Sequence, residues 1–93
     1  MLFTSRCALS DIVALRLTVY GRHGCHLCDE MISELHAAGA AQRFALDVVD
    51  VDTDVSLRMR YGKRVPVLVH GAHEICHYHL DAGKLNEYLS KIR

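Results

Sequence analysis

The sequence predicts an α/β domain: a four-stranded mixed sheet flanked by three helices, in the order β-α-β-α-β-β-α. Three observations carry that prediction. Apolar alternation and β-branched runs are interleaved with stretches of helical period through residues 15–70, and strand–helix–strand units imply parallel pairing. Two further strand stretches are separated by little more than Gly71-Ala72, which marks an antiparallel hairpin. A chain of 93 residues has room for one domain.

Residues 1–14 precede the first strand pattern and read as an N-terminal extension; 15–93 read as the domain. In the first strand, Leu15, Leu17 and Val19 alternate with Arg16, Thr18 and Tyr20. Gly21-Arg22-His23-Gly24 then forms a loop. From Cys25 a helix is predicted, with Leu27, Met31, Leu35 and Ala38 on one stripe. Asp29 and Glu30 occupy its first turn, where the helix dipole favours acids, and Gly39 is expected to end it. Residues 44–51 are rich in β-branched side chains and read as the second strand. Asp52-Thr53-Asp54 supplies N-caps for a short helix through Arg60, stopped at Gly62. Residues 65–70 and 74–78 make the hairpin strands. Asp81 caps a last helix, with Leu85, Tyr88, Leu89 and Ile92 along one face.

Composition narrows the function. Apolar residues make up 51% of the chain, enough to build a core rather than stay disordered. Lys plus Arg and Asp plus Glu number 11 each, so no basic excess is available to neutralise a phosphate backbone, and no nucleic-acid partner is expected. No run approaches the roughly 20 apolar residues that cross a bilayer, so no membrane role is expected. The first residues lack the charged start, long apolar stretch and small-residue cleavage site of a secretory signal, which predicts a cytoplasmic protein. Nothing in the pattern demands a dimer, so a monomer is expected, with neither cofactor nor metal.

Chemistry concentrates at Cys25-His26-Leu27-Cys28, where a strand and loop run into a helix. Unpaired N–H groups and the dipole at a helix start stabilise an anion, and thiolate is the nucleophile of disulfide exchange, so Cys25 is the expected attacking sulfur. Cys28 lies one turn further in, on the same side and more covered. It can close a disulfide with Cys25, displacing a bound substrate. His26, between the two, is a candidate for stabilising the thiolate when protonated; His23 is a weaker candidate of the same kind. A different reading uses the same cysteines as a zinc module or a non-catalytic redox sensor, with Cys76 and His79 completing a Cys₃His set. Cys76 otherwise reads as a small apolar core residue on a strand, and Cys7 as an incidental thiol. His70, His73, His77 and His79 straddle the hairpin and point to both faces, so one shared site is not expected. Pro66, the only proline, opens a strand without a ladder N–H. Spacing alone is satisfied by a trans bond. A cis bond would turn the Val65 backbone outward, where a substrate could pair with it as an added strand.

Leu17-Thr18-Val19-Tyr20, Cys25-His26-Leu27-Cys28-Asp29-Glu30, Asp50-Val51-Asp52, Tyr61-Gly62-Lys63-Arg64-Val65-Pro66-Val67-Leu68 and Ile75-Cys76 together resemble the glutaredoxin-like family of small bacterial proteins. The resemblance spans about residues 15–92. It implies a thioredoxin-like fold, a cis Val65–Pro66 bond beside the cysteines, Cys25 as nucleophile and Cys28 as resolving thiol. It also implies that Arg22, three positions before Cys25, favours the thiolate or a substrate carboxylate. The implied partner is a disulfide-bearing protein or a small thiol such as glutathione. Glutaredoxins proper hold glutathione with a Gly-Gly pair and an acid before the last helix. Asp81 matches the acid, but His77 and Tyr78 stand where backbone must be approached closely, so glutathione is expected to fit poorly. Thioredoxins proper carry a Trp before the first cysteine and a buried acid in the preceding strand. This chain has no Trp and shows Val19 and Tyr20 near the acid's position.

Overall fold

The computed structural model describes residues 15–42 and 44–92. Strand β1 (Arg16–Gly21) leads into helix α1 (His26–Gln42) and then strand β2 (Ala45–Asp50). A 3₁₀ turn (Val51–Thr53) precedes helix α2 (Val55–Tyr61), strands β3 (Val67–His70) and β4 (His73–His77), and helix α3 (Ala82–Ile92). The sheet runs β2-β1-β3-β4. β1 pairs parallel with β2, while β3 lies antiparallel to both β1 and β4. The predicted element order and mixed sheet are thus present. The proposed extension, with Cys7, lies outside the described residues.

Two cores follow from the pleat. Leu17, Val19 and Leu68 face one side of the sheet, where they pack with Met31 and Leu35 of α1 and Leu85 and Leu89 of α3. Val67 and Val69 face the other side, with Val51 and Tyr61. Each fully buried leucine contributes roughly 2 kcal/mol of apolar transfer. A register irregularity opposite Leu68 and Val69 inserts an extra residue in β4, so Ile75 and Cys76 both turn into the first core.

Beyond one-residue shifts at element ends, three features differ from expectation. Gly39 does not end α1, which continues to Gln42. The glycine instead makes room for a neighbour: a Cβ there would stand 3.2 Å from the Phe44 carbonyl oxygen and 3.3 Å from its ring. β3 begins at Val67 rather than Val65, because Pro66 has no N–H to give the ladder. Ile92 is 41% exposed, so the buried stripe of α3 stops at Leu89. The predicted caps are in place. The Asp54 carboxylate accepts from the Ser56 N–H at 2.7 Å, and that of Asp81 from the Lys84 N–H at 3.0 Å. Among the described residues no helix is long and apolar enough to cross a membrane.

Candidate active site

The turn from β1 into α1 places the cysteine pair. The Cys25 N–H donates to the Arg22 carbonyl at 3.2 Å, closing a tight turn, and Gly24 takes the positive φ of 78° that this turn requires. Cys25 then sits at the N-cap of α1. Its carbonyl accepts from the Asp29 N–H at 3.1 Å, and its sulfur accepts from the Cys28 N–H at 3.2 Å. A thiol therefore stands where Ser or Asp oxygens usually satisfy the first-turn donors of a helix.

The two sulfurs live in different surroundings. Cys25 is half-buried and Cys28 is buried, both as free thiols. Burial, and then its hydrogen bond with Cys25, push the Cys28 thiol up to about 11. Gly21, the last residue of β1, explains how that sulfur fits: a Cβ on Gly21 would meet Cys28 Sγ at 3.2 Å and Cys28 Cβ at 3.3 Å. Sequence reasoning treated Gly21 only as a loop residue, and nothing local marks it otherwise. We expect Gly21→Val to displace the Cys28 side chain and, as overpacking, to cost about 1–3 kcal/mol of stability, measured by thermal unfolding.

The Val65–Pro66 peptide bond is cis. Pro66 immediately precedes Val67, the first residue of β3, which pairs with Tyr20 next to the end of β1. Among the described residues, no turn or loop hydrogen bond uses the N–H or C=O of Val65.

Arg22 already has a partner. Its Nε and Nη2 donate to the Asp52 carboxylate at 2.9 and 3.2 Å, and Nη1 donates to the Gly62 carbonyl at 3.3 Å. The bond to Asp52 is the largest cause that holds Arg22 above its ordinary value; Cys25 is near enough to add to it. The guanidinium therefore ties the cysteine loop to the segment before β3, and a substrate carboxylate would have to compete with Asp52. The His26 ring is exposed and pairs with Glu30, its Nε2 2.8 Å from the carboxylate. His23 is also exposed.

The four-ligand zinc alternative has no counterpart. Among the described residues no group of three or more His, Cys, Asp or Glu side chains could hold a metal ion. Cys76 packs in the first core, where burial raises its thiol above the ordinary value. The hairpin histidines are spent separately. His70 Nδ1 lies 2.6 Å from the Tyr88 hydroxyl and His73 stacks on the Tyr88 ring, whereas His77 pairs with Glu74 at 2.9 Å.

Comparison with known proteins places this arrangement. Residues 16–90 match the family described as glutaredoxin-like domain (DUF836). The chain is similar to protein Ne2328 from Nitrosomonas europaea, with 43% identity and a TM-score of 0.73, over 78% of this chain and 88% of that one. It is also similar to a protein from X. campestris, with 37% identity and a TM-score of 0.63, over 81% and 96% of the two chains. Thioredoxin 1 from Thermosipho africanus shares the fold at 15% identity, with a TM-score of 0.58 over 84% of this chain and 98% of that one. No curated protein sequence matches the chain.

Proposed function

The chain belongs to the glutaredoxin-like domain family, and from that premise we propose that it is a thiol–disulfide oxidoreductase with Cys25 as nucleophile and Cys28 as resolving thiol. The observation that supports this most is the asymmetry of the pair. One sulfur is half-buried at the helix N-cap with an N–H aimed at it; the other is buried behind it. In the proposed reaction Cys25 Sγ attacks one sulfur of a substrate disulfide, forming a mixed disulfide and releasing a thiolate that takes up a proton. Cys28 loses its proton, attacks Cys25 Sγ and expels the second substrate thiolate. Two electrons pass to the substrate, and the protein is left with a Cys25–Cys28 disulfide.

Burial is the largest cause of the raised Cys28 value and the hydrogen bond of Cys25 the next, so the inner thiol is the one that keeps its proton in the reduced pair. Val65 and Pro66 form the substrate-facing edge, and Arg22 positions the cysteine loop through Asp52. The reduced dithiol suits a monomer in a reducing compartment such as the cytoplasm, with a disulfide-bearing protein as partner. The test is reduction of a protein disulfide by the reduced chain. The wild type should be oxidised as the substrate is reduced, whereas Cys25→Ser should leave exchange at the uncatalysed rate. Equal rates for the two would refute the assignment.

A further inference from the structure

Helix α2 turns an apolar pair outward. Leu57 and Tyr61 point inward, where they pack with Val51, Val67 and Val69. The opposite side of the helix carries Val55 and Met59, which stand one turn apart and above one another. They are 60% and 80% exposed, the two most exposed of the large apolar side chains among the described residues. A solvent-facing helix surface ordinarily carries polar residues at such positions. Neither side chain belongs to a core cluster, so burial within the fold does not account for them.

Charge gathers around this pair. The chain is neutral overall, yet Arg58, Arg60, Lys63 and Arg64 follow one another closely and no acid occurs between Asp54 and Glu74. Arg64 is bound to Glu74, and Asp52 to Arg22. Among the described residues no ion pair uses Arg58, Arg60 or Lys63, all three exposed. Only Asp54, the cap of α2, is left to oppose these cations along the helix.

The face also leads somewhere. Gly62 ends α2 on the side of Val55 and Met59, and its carbonyl accepts from Arg22 Nη1 at 3.3 Å. The Arg22 carbonyl in turn accepts the Cys25 N–H. A segment lying along α2 is thereby guided toward the half-buried sulfur. Seven residues of helix span only about 10 Å. That is too little to supply the roughly 800 Å² per partner of a stable dimer, and it suits a transient contact with a substrate.

We propose that the Val55–Met59 face of α2 is a docking surface for acidic polypeptide, holding a substrate whose disulfide is flanked by carboxylates and an apolar side chain. Arg58, Arg60 and Lys63 attract the carboxylates, and the thioether of Met59 gives the apolar side chain an adaptable contact. The proposal rests on the dithiol-exchange reading above. Each turnover balances without further reductant: one substrate disulfide becomes two thiols as Cys25 and Cys28 become one disulfide.

The test is single-turnover exchange of the pre-reduced full chain with two synthetic disulfide-linked peptide dimers. They are alike in length and in a leucine near the cysteine; one is rich in glutamate and the other in lysine. At low ionic strength the wild type should react about tenfold faster with the acidic peptide, and the preference should shrink in ~0.5 M salt. A double variant, Arg58→Gln with Arg60→Gln, should bring the two rates within about threefold of each other. Met59→Ser should slow the acidic peptide about fivefold. In every variant Cys25 should keep its alkylation rate with iodoacetamide, which separates docking from sulfur chemistry. Equal wild-type rates, a preference that survives the double variant, or a Met59→Ser chain as fast as wild type would each overturn the proposal. So would a wild type that ignores peptide charge but sediments with phosphatidylglycerol vesicles, or forms dimers that Met59→Ser dissolves; the face would then belong to a membrane or to a second copy. A wild type that exchanges with neither peptide would instead sink the oxidoreductase reading, and this inference with it.

Discussion

In a Cys28→Ser variant, a disulfide-bearing protein substrate is expected to remain covalently joined to Cys25. The serine hydroxyl fills the place of the resolving thiol behind Gly21 but cannot displace sulfur from sulfur. The first half of the exchange then proceeds and the second stops. Non-reducing electrophoresis should show the joined species accumulating to stoichiometry, and added dithiothreitol should release it. The Cys25→Ser variant should show no such species at Cys28, because that sulfur is buried out of reach of a substrate disulfide. Trapping by Cys25→Ser but not by Cys28→Ser would reverse the assigned roles.

Gly62→Ala should give the second large effect, this time on stability. A Cβ on Gly62 would collide with the Arg58 carbonyl oxygen, a backbone atom that also accepts the Gly62 N–H at 2.8 Å. It would also stand 3.2 Å from Arg22 Nη2. Neither neighbour yields without cost. The end of α2 must open, and the Arg22 bond to the Gly62 carbonyl must lengthen. Overpacking of this kind costs about 1–3 kcal/mol, and each kcal/mol lowers Tm by about 4–8 °C in a domain of this size. Thermal unfolding followed by circular dichroism measures it. Because Arg22 anchors the cysteine loop, the variant should also exchange disulfides more slowly at a temperature where it is still folded.

Much of this site is legible in the sequence because it is local. A Cys-x-x-Cys at the start of a helical stripe needs only the helical period to place one sulfur at the helix start and the other one turn further in. The capping acids Asp54 and Asp81 are equally local, and each accepts the first-turn N–H expected of it. What the sequence hides depends on chain segments that meet only in the fold. Gly39 looks like a helix stop because glycine usually serves there, but its neighbour is Phe44 across the turn into β2. The Arg22–Asp52 pair joins residues 30 apart in the chain, on either side of a crossover. Ile75 and Cys76 both turn inward only because of a register irregularity that alternation cannot foresee. Tyr78, just after β4, is the sharpest case, with a φ of +67°. The usual mark of a positive φ is glycine or asparagine, and a tyrosine carries no such signal.

The account rests on two sulfurs three residues apart having unequal access, the inner one buried and holding its proton to high pH. Limited alkylation of the reduced chain with iodoacetamide, in a Cys7→Ser background and read peptide by peptide across pH, measures this directly. Cys25 should be modified first at pH 7, with Cys76 protected by burial and Cys28 reacting appreciably only as the pH nears about 11. Cys28 reacting at pH 7 as fast as Cys25, or ahead of it, would contradict the account.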